Sequence, residues 1–338
     1  MNNVNRNQPN STKKFLTNSE LLAKVKSQNL IVDNELDFFS WIDKIGYDNL
    51  INGYRQPFGS SLNEYNAFNY YENMHFDYIT TLYNFDFDLK LLTFRYTSII
   101  ELKIKNELSN IICQSCGIDY RNFLKLENFI DEEKFQKIKE LIEKNINSII
   151  IPYEESMQQG IEPKIINHSI IDSYINSNGI IPIWSLTQIL TLGDIVNIIC
   201  SINNNLCSQI SRLYKLQPET LQNYLLRVRL FRNVCAHHEK LYNYKTINRL
   251  KTKNIKNLIE RLNIESHTQN YNLRNYKSLV IVFKMLLTED DFSEFCREVD
   301  YKLNILELKL PAECYKNITL LSGIDHTTFD IMAYQLRK

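Results

Sequence analysis

Glycine and proline are scarce in this chain, and that scarcity limits its folds more than any other feature. Only 8 Gly and 7 Pro occur in 338 residues, where ordinary usage would make them ~12% of a chain. A sandwich, a barrel or a doubly wound sheet turns often, and glycine normally supplies the positive-φ positions those turns need. Their shortage points to long helices and few turns. It also removes chemistry, because neither GxGxxG nor GxxxxGK[ST] occurs, so both glycine-rich nucleotide-phosphate fingerprints are excluded.

Hydrophobic spacing agrees with an all-α class. Thr17-Asn18-Ser19-Glu20 reads as a capping box ahead of Leu21, Leu22 and Val25, after a polar leader over residues 1–15. A helix is expected over 35–45, ended by Gly46, and a loop over 54–67. From about 86 to 113 the apolar residues Leu89, Leu92, Tyr96, Ile99, Ile100, Ile104, Leu108 and Ile111 recur at helical steps without a Gly or Pro. Asp86 and Asp88 fall at the expected start of that helix, where a carboxylate caps. Further helices are expected over 131–146, 183–192, 194–203, 218–242, 271–287 and 289–303, with an irregular stretch over 150–181 around Pro152, Gly160, Pro163 and Gly179. No alternating strand pattern exceeds four residues, and no internal repeat occurs.

Lys and Arg number 39, as do Asp and Glu. Contact with nucleic acid would therefore rest on a local patch and not on bulk charge. Seven scattered cysteines suit a reducing compartment better than a disulfide framework. Cys113-Gln114-Ser115-Cys116 is a lone CxxC with no second pair, too little for a four-ligand zinc site. The opening residues lack the apolar run of a signal peptide, and no apolar run approaches the ~20 residues of a spanning helix. A cytoplasmic protein without a membrane segment, cofactor or bound metal is expected.

Chemistry concentrates in one string, LLRVRLFRNVCAHHEKLYN, at the end of the 218–242 helix. Imidazole titrates near ~6.5 and can take or give a proton at neutral pH. Arginine stays charged and forks onto two phosphate oxygens. Asn233 stands four residues before His237, on the same helical face, where it can orient the ring or bond a substrate. Arg232 is five residues before His237, about 140° around the helix, so the two do not share an ideal face. His238 continues the apolar line Leu221, Leu225, Val228, Phe231, Cys235 and is expected to pack in the core. The bland reading is a helix end whose cations satisfy the dipole. Glu101 lies on the polar face of the long helix, able to orient Arg232 or merely to be solvated. Lys245, Arg249, Lys251, Lys253, Lys256 and Arg261, downstream of Tyr242 and Tyr244, form either an RNA-backbone track or a solvated face.

The same string resembles a known signature. Arg232-Asn233-Val234-Cys235-Ala236-His237 looks like the R-x4-6-H motif of HEPN ribonucleases. The fuller RNVCAHHEKLYN, over Arg232, Asn233, Cys235, Ala236, His237, His238, Leu241 and Asn243, resembles the Abi-like abortive-infection family of AbiD/AbiF type. Other blocks agree: Ile45-Gly46-Tyr47 through Phe58, Leu82-Tyr83-Asn84-Phe85-Asp86 ("LYxFD"), Ile100-Glu101, and Pro182-Ile183-Trp184 with Leu192-Gly193. Departures are Gln188 for a usual Glu, Lys240 for Arg, Tyr242 for Trp, and Asn29 for an Arg-Gly pair. The resemblance implies a HEPN-like helical core over 68–243, after an N-terminal leader and helical segment over 1–67 and before a C-terminal helical extension over 244–338. It implies a metal-independent endoribonuclease of phage defence, with Arg232 on the phosphate, His237 as acid or base and Asn233 orienting. His238, Glu101 and Lys240 would support them. RNA is the implied partner. A homodimer through the Arg232/His237 helix is expected from the chemistry, because acid and base are two jobs, one chain offers a single outward histidine, and the arginine of a second chain would answer the angular separation. Whether a small regulatory RNA or an antitoxin restrains the protein is left open by the residues. A non-catalytic module holding a small RNA, or a helical inhibitor that binds a protein target, are the alternatives the residues leave open.

Overall fold

A computed structural model describes residues 15–62, 67–162, 169–250 and 273–329. The leader up to residue 14 and the basic residues Lys251, Lys253, Lys256 and Arg261 lie outside them. The chain is mostly helical and all-α, as its glycine poverty implied. It divides into two compact units, residues 1–85 with 305–318 and residues 86–304 with 319–338. No helix among the described residues is long and apolar enough to cross a membrane.

In the first unit, α1 (Asn18–Ser27) opens on the expected capping box. The Glu20 N–H donates to the Thr17 hydroxyl and the Thr17 N–H to the Glu20 carboxylate. Asn29, just beyond α1, has φ 69°. This is the position where the family resemblance places a glycine, and asparagine is among the non-glycine residues best suited to the left-handed region. Helix α2 (Glu35–Ile45) is capped by Asn34 and stopped by Gly46 at φ 86°. The expected loop over 54–67 is only partly a loop. A 3-10 turn over Gln56–Phe58 leads into β1 (Gly59–Leu62), which pairs antiparallel with β2 (Ala67–Tyr70), Gly59 facing Tyr70. Four-residue strands are too short to display alternation. Gly59 is required by close approach, since a Cβ there would sit 2.3 Å from the Asn69 carbonyl oxygen. Phe38, Leu50, Ile51, Phe58, Ile79 and Leu82 form this unit's core.

Helix α3 (Phe76–Cys116) begins ten residues earlier than the spacing predicts and contributes to both units. In the second unit it is followed by α4 (Tyr120–Phe123), α5 (Glu132–Gln158), α6 (Ser169–Asn176), α7 (Ile183–Ile189), α8 (Leu192–Ile199), α9 (Asn204–Leu213) and α10 (Pro218–Ala236). Then come α11 (Tyr276–Leu286), α12 (Glu289–Lys309) and α13 (Ala312–Ser322), the last two shared with the first unit. Helix α5 runs through Pro152, because the buried line Ile138, Ile142, Ile146, Ile150 keeps its i+4 period up to the proline and outweighs one lost backbone bond. Together with α6 it replaces half of the irregular stretch expected over 150–181. Gly193 lies inside the first turn of α8, not between two helices, because Thr191 and Asp194 form a second capping box. Asn203 caps α9 by accepting the Leu206 N–H, a helix the spacing did not single out.

Helix α11 is the post of the second unit. Leu279, Val280, Ile281, Val282 and Phe283 are all fully buried, and a helix apolar on every side belongs in the middle of a bundle. The Tyr96, Phe283 and Phe295 rings meet edge-on or tilted at 5.0 to 6.4 Å. Tyr276 at the start of α11 ties it to α3. The Thr93 hydroxyl already donates to the Leu89 carbonyl at 2.7 Å, so the Tyr276 hydroxyl donates to Thr93 at 2.8 Å. Tyr276→Phe should cost about 1 kcal/mol of unfolding free energy, the usual worth of one buried hydrogen bond. Tyr276→Ala should cost about 3–5 kcal/mol through the cavity left behind. Urea unfolding would check both, and equal midpoints for the two variants would contradict this account.

Candidate functional site

Helix α10 starts on Pro218, which loses nothing at a position without an intrahelical N–H bond. Leu221, Tyr224, Leu225, Val228, Phe231 and Cys235 form its buried face. Burial pushes the Cys235 thiol up to about 12, so it is no nucleophile at neutral pH. The helix stops at Ala236, six residues short of the expected end. The Glu239 N–H donates to the Val234 carbonyl at 3.1 Å and the His238 N–H to the Cys235 carbonyl at 3.3 Å. His238 takes φ 55°. This is the reverse turn that usually carries a glycine after a helix. A non-glycine residue there bears roughly 1 kcal/mol of backbone strain.

That turn corrects the reading of His238. The expected stripe would have carried it into the core, but the left-handed turn swings it out, and His237 and His238 are both exposed. Asn233 is exposed too, and its carbonyl accepts the His237 N–H at 2.9 Å. Arg232 is half-exposed, its guanidinium 5.5 Å from the centre of the Phe94 ring on α3. Among the described residues no carboxylate pairs with Arg232, His237 or His238. Glu101 does not reach Arg232; it pairs with Lys105 at 2.8 Å. Lys240 is half-exposed, and Lys245 and Arg249 are exposed. Lys251 and Lys253 lie outside the described residues.

Two residues that hold this turn escaped the sequence reading. Asp86 is no helix cap. It lies ten residues inside α3 with no exposed surface, and its carboxylate accepts the backbone N–H of Leu241 at 3.0 Å and of Tyr242 at 2.6 Å. Lys90, nearly buried, pairs with it at 3.3 Å. Asp88, read with it as a cap, pairs with Lys302 at 2.8 Å. Leu241 is fully buried, so it is unavailable to any partner surface. Arg227 fixes the following segment, donating to the Thr246 and Ser278 hydroxyls and to the Asn248 carbonyl. Burial among these neutral partners brings its guanidinium down to about 10. The lone CxxC lies at the end of α3, where burial raises both thiols. No cluster of three or more metal-binding side chains occurs among the described residues.

The fold and this site define a class: a helical protein that presents an Arg-Asn-x3-His-His helix end, locked from behind by a buried carboxylate. Residues 40–243, more than half of the chain, match the Abi-like protein family, and the chain belongs to that family. No curated protein and no solved structure matches it.

Two outcomes follow from this geometry. Asp86→Ala should lower stability by about 3–5 kcal/mol, because it removes a buried partner of the Lys90 ammonium and the acceptor of two backbone donors, with Asp86→Asn in between. A wild-type melting curve for Asp86→Ala would refute the anchoring role. His238→Gly should melt at or above the wild-type temperature, whereas His238→Val should melt lower, since a β-branched side chain tolerates positive φ worst. If His238→Gly melts well below wild type, the imidazole is a packing element after all.

Proposed function

We propose that this chain is a metal-independent endoribonuclease of HEPN type acting in abortive-infection phage defence. The observation that carries the reading is the end of α10, where Asn233, His237 and His238 are exposed on one turn and half-exposed Arg232 lies one residue before them, with no carboxylate among the described residues to occupy the cations. Membership in the Abi-like family supports the defence role.

The chemistry needs three jobs done. A base removes the proton of an RNA 2′-hydroxyl, whose oxygen attacks the adjacent phosphorus. An acid protonates the departing 5′-oxygen. A cation offsets the charge that builds on the phosphorane. Products are a 2′,3′-cyclic phosphate and a 5′-hydroxyl. His237 serves as acid or base, Arg232 holds the phosphate and Asn233 orients ring or substrate. With His238 turned outward, one chain offers two imidazoles, so the need for a second histidine no longer argues for a dimer. A homodimer through α10 is still part of the proposal, on the ground of the Arg232 angle. Arg232 is drawn toward Phe94, away from the Asn233–His237 line, so the arginine of a second chain would complete the site. Leu226 and Leu230 supply apolar surface to such a pairing, Leu230 being 39% exposed. A small RNA or an antitoxin would hold the enzyme in check.

Arg232→Ala and His237→Ala should abolish RNA cleavage and growth arrest while moving the melting temperature little, since neither opens a cavity. Cleavage should persist in excess EDTA, and RNA methylated at its 2′-oxygens should be inert. Wild-type cleavage by both variants would reject the site, and loss in EDTA with rescue by a divalent ion would reject the mechanism. Mixed, re-equilibrated Arg232→Ala and His237→Ala chains should show activity different from the mean of the pure variants. Activity equal to that mean, or a fully active monomer in light scattering, would reject the shared cleft.

A further inference from the structure

Arg227, Arg229 and Arg232 all lie on α10, and they meet different fates. Arg227 is buried and structural, and Arg232 leans on Phe94. Arg229 is half-exposed, and no carboxylate among the described residues pairs with it. At 100° per residue it stands about 80° from His237 and about 40° from Asn233 around the helix, closer to the Asn233–His237 line than Arg232 is. Its guanidinium donates to the Asn197 side-chain oxygen on α8 at 2.9 Å. Its stem passes Gly193, where even a Cβ would be 3.8 Å away. The side chain is therefore aimed at the α8–α10 rim and held there by a neutral group that leaves its charge unspent.

A second cation shares that rim. The Ile130 N–H donates to the Ser201 carbonyl at 3.0 Å, which sets the start of α5, with Lys134 in its first turn, beside the end of α8, and Arg229 and Lys134 both act on the Cys200 thiol there, which burial nonetheless raises. Lys134 is half-exposed, and no carboxylate within ion-pair distance engages its ammonium among the described residues. The acids beside it are engaged elsewhere. Asp131 caps α5, Glu132 accepts from Gln136 and Glu133 pairs with Lys137.

We propose that Arg229 and Lys134 form a phosphate-binding track that carries single-stranded RNA away from the cleavage turn, across α10 toward α8 and α5. The proposal rests on the ribonuclease reading and adds the substrate's path and form. His237 to Arg229 is eight residues, a rise of about 12 Å, on the order of two unstacked nucleotide steps. A strand cut at His237 would thus offer its next phosphates to Arg229 and then to Lys134. Exposed Ala236, between Arg232 and Asn233 around the helix, leaves the near end of the path without a bulky side chain. The substrate is a flexible single strand extending at least two phosphates past the cut, which a dinucleotide does not supply.

The test is salt-dependent binding of the full chain to a short, fluorescein-labelled oligoribonucleotide methylated at every 2′-oxygen. Each phosphate contact in a single strand contributes about 0.7 to the slope of log K against log salt. Arg229→Ala and Lys134→Ala should each flatten the slope by about that amount, and the double variant by about twice it. Arg229→Lys should keep the slope, and Lys137→Ala, which removes an ammonium paired with Glu133, should leave it unchanged. Arg229→Gln replaces Arg229→Ala if the alanine variant fails to fold. Wild-type slopes in the Arg229 and Lys134 variants, with binding and cleavage intact, would overturn the track alone. A wild-type chain that neither binds nor cleaves RNA would overturn the track and the ribonuclease reading together.

Discussion

A carboxylate with no exposed surface must be answered from within the protein, and Asp86 is answered by Lys90 and by the backbone of Leu241 and Tyr242. Much of the candidate site's form depends on that knot. Helix α10 ends at Ala236, and without a fixed point beyond it the two histidines would sit on a loose tail. Asp86 supplies the fixed point, clamping the chain five residues past the helix end. Arg227 repeats the device for the next segment through Thr246 and Asn248. A charged group buried among hydrogen-bond partners stabilises little in net terms, because desolvation offsets most of its attraction. Its effect is to select one geometry, since any other leaves the charge unanswered.

Most of the helices are legible in the sequence because burial imposes a period. The Leu89-to-Ile111 line of α3, the capping box at Thr17 and the apolar α11 all declare themselves locally. What escapes is what locality cannot encode. The bond from Asp86 to Tyr242 spans 156 residues, and nothing beside Asp86 distinguishes a carboxylate that caps a helix from one that anchors a distant strand of chain. The β1–β2 hairpin is too short to alternate. Pro152 looks like a stop, and only the buried isoleucines of α5 show that it is not.

The candidate site is legible in part. Arg232, Asn233 and His237 stand out by residue type and spacing, and the structure keeps Asn233 and His237 on one exposed face. The role of His238 was not legible. A helix stop is normally announced by glycine, and here a histidine occupies the left-handed position, so the sequence carries no stop before residue 242. The scarcity of glycine that betrays the helical class also hides the end of the helix that matters most. Asn29, Asn73, Asn178 and Lys215 take left-handed turns in the same way.

The Asp86 knot also orders events in time. Helices form from neighbours, but this contact needs the chain to close over some 155 residues, and closure entropy delays such pairings relative to local structure. During synthesis α3 emerges early, with Lys90 beside the Asp86 carboxylate, while the backbone donors of Leu241 and Tyr242 are still to be made. The turn bearing His237 and His238 can therefore be fixed only after almost three quarters of the chain exists. Fragments ending before Tyr242 would carry every residue of the Arg-His pair and lack the anchor that sets it in place. Under the proposed ribonuclease reading, the connectivity of the fold keeps the cleavage turn from assembling until late in synthesis.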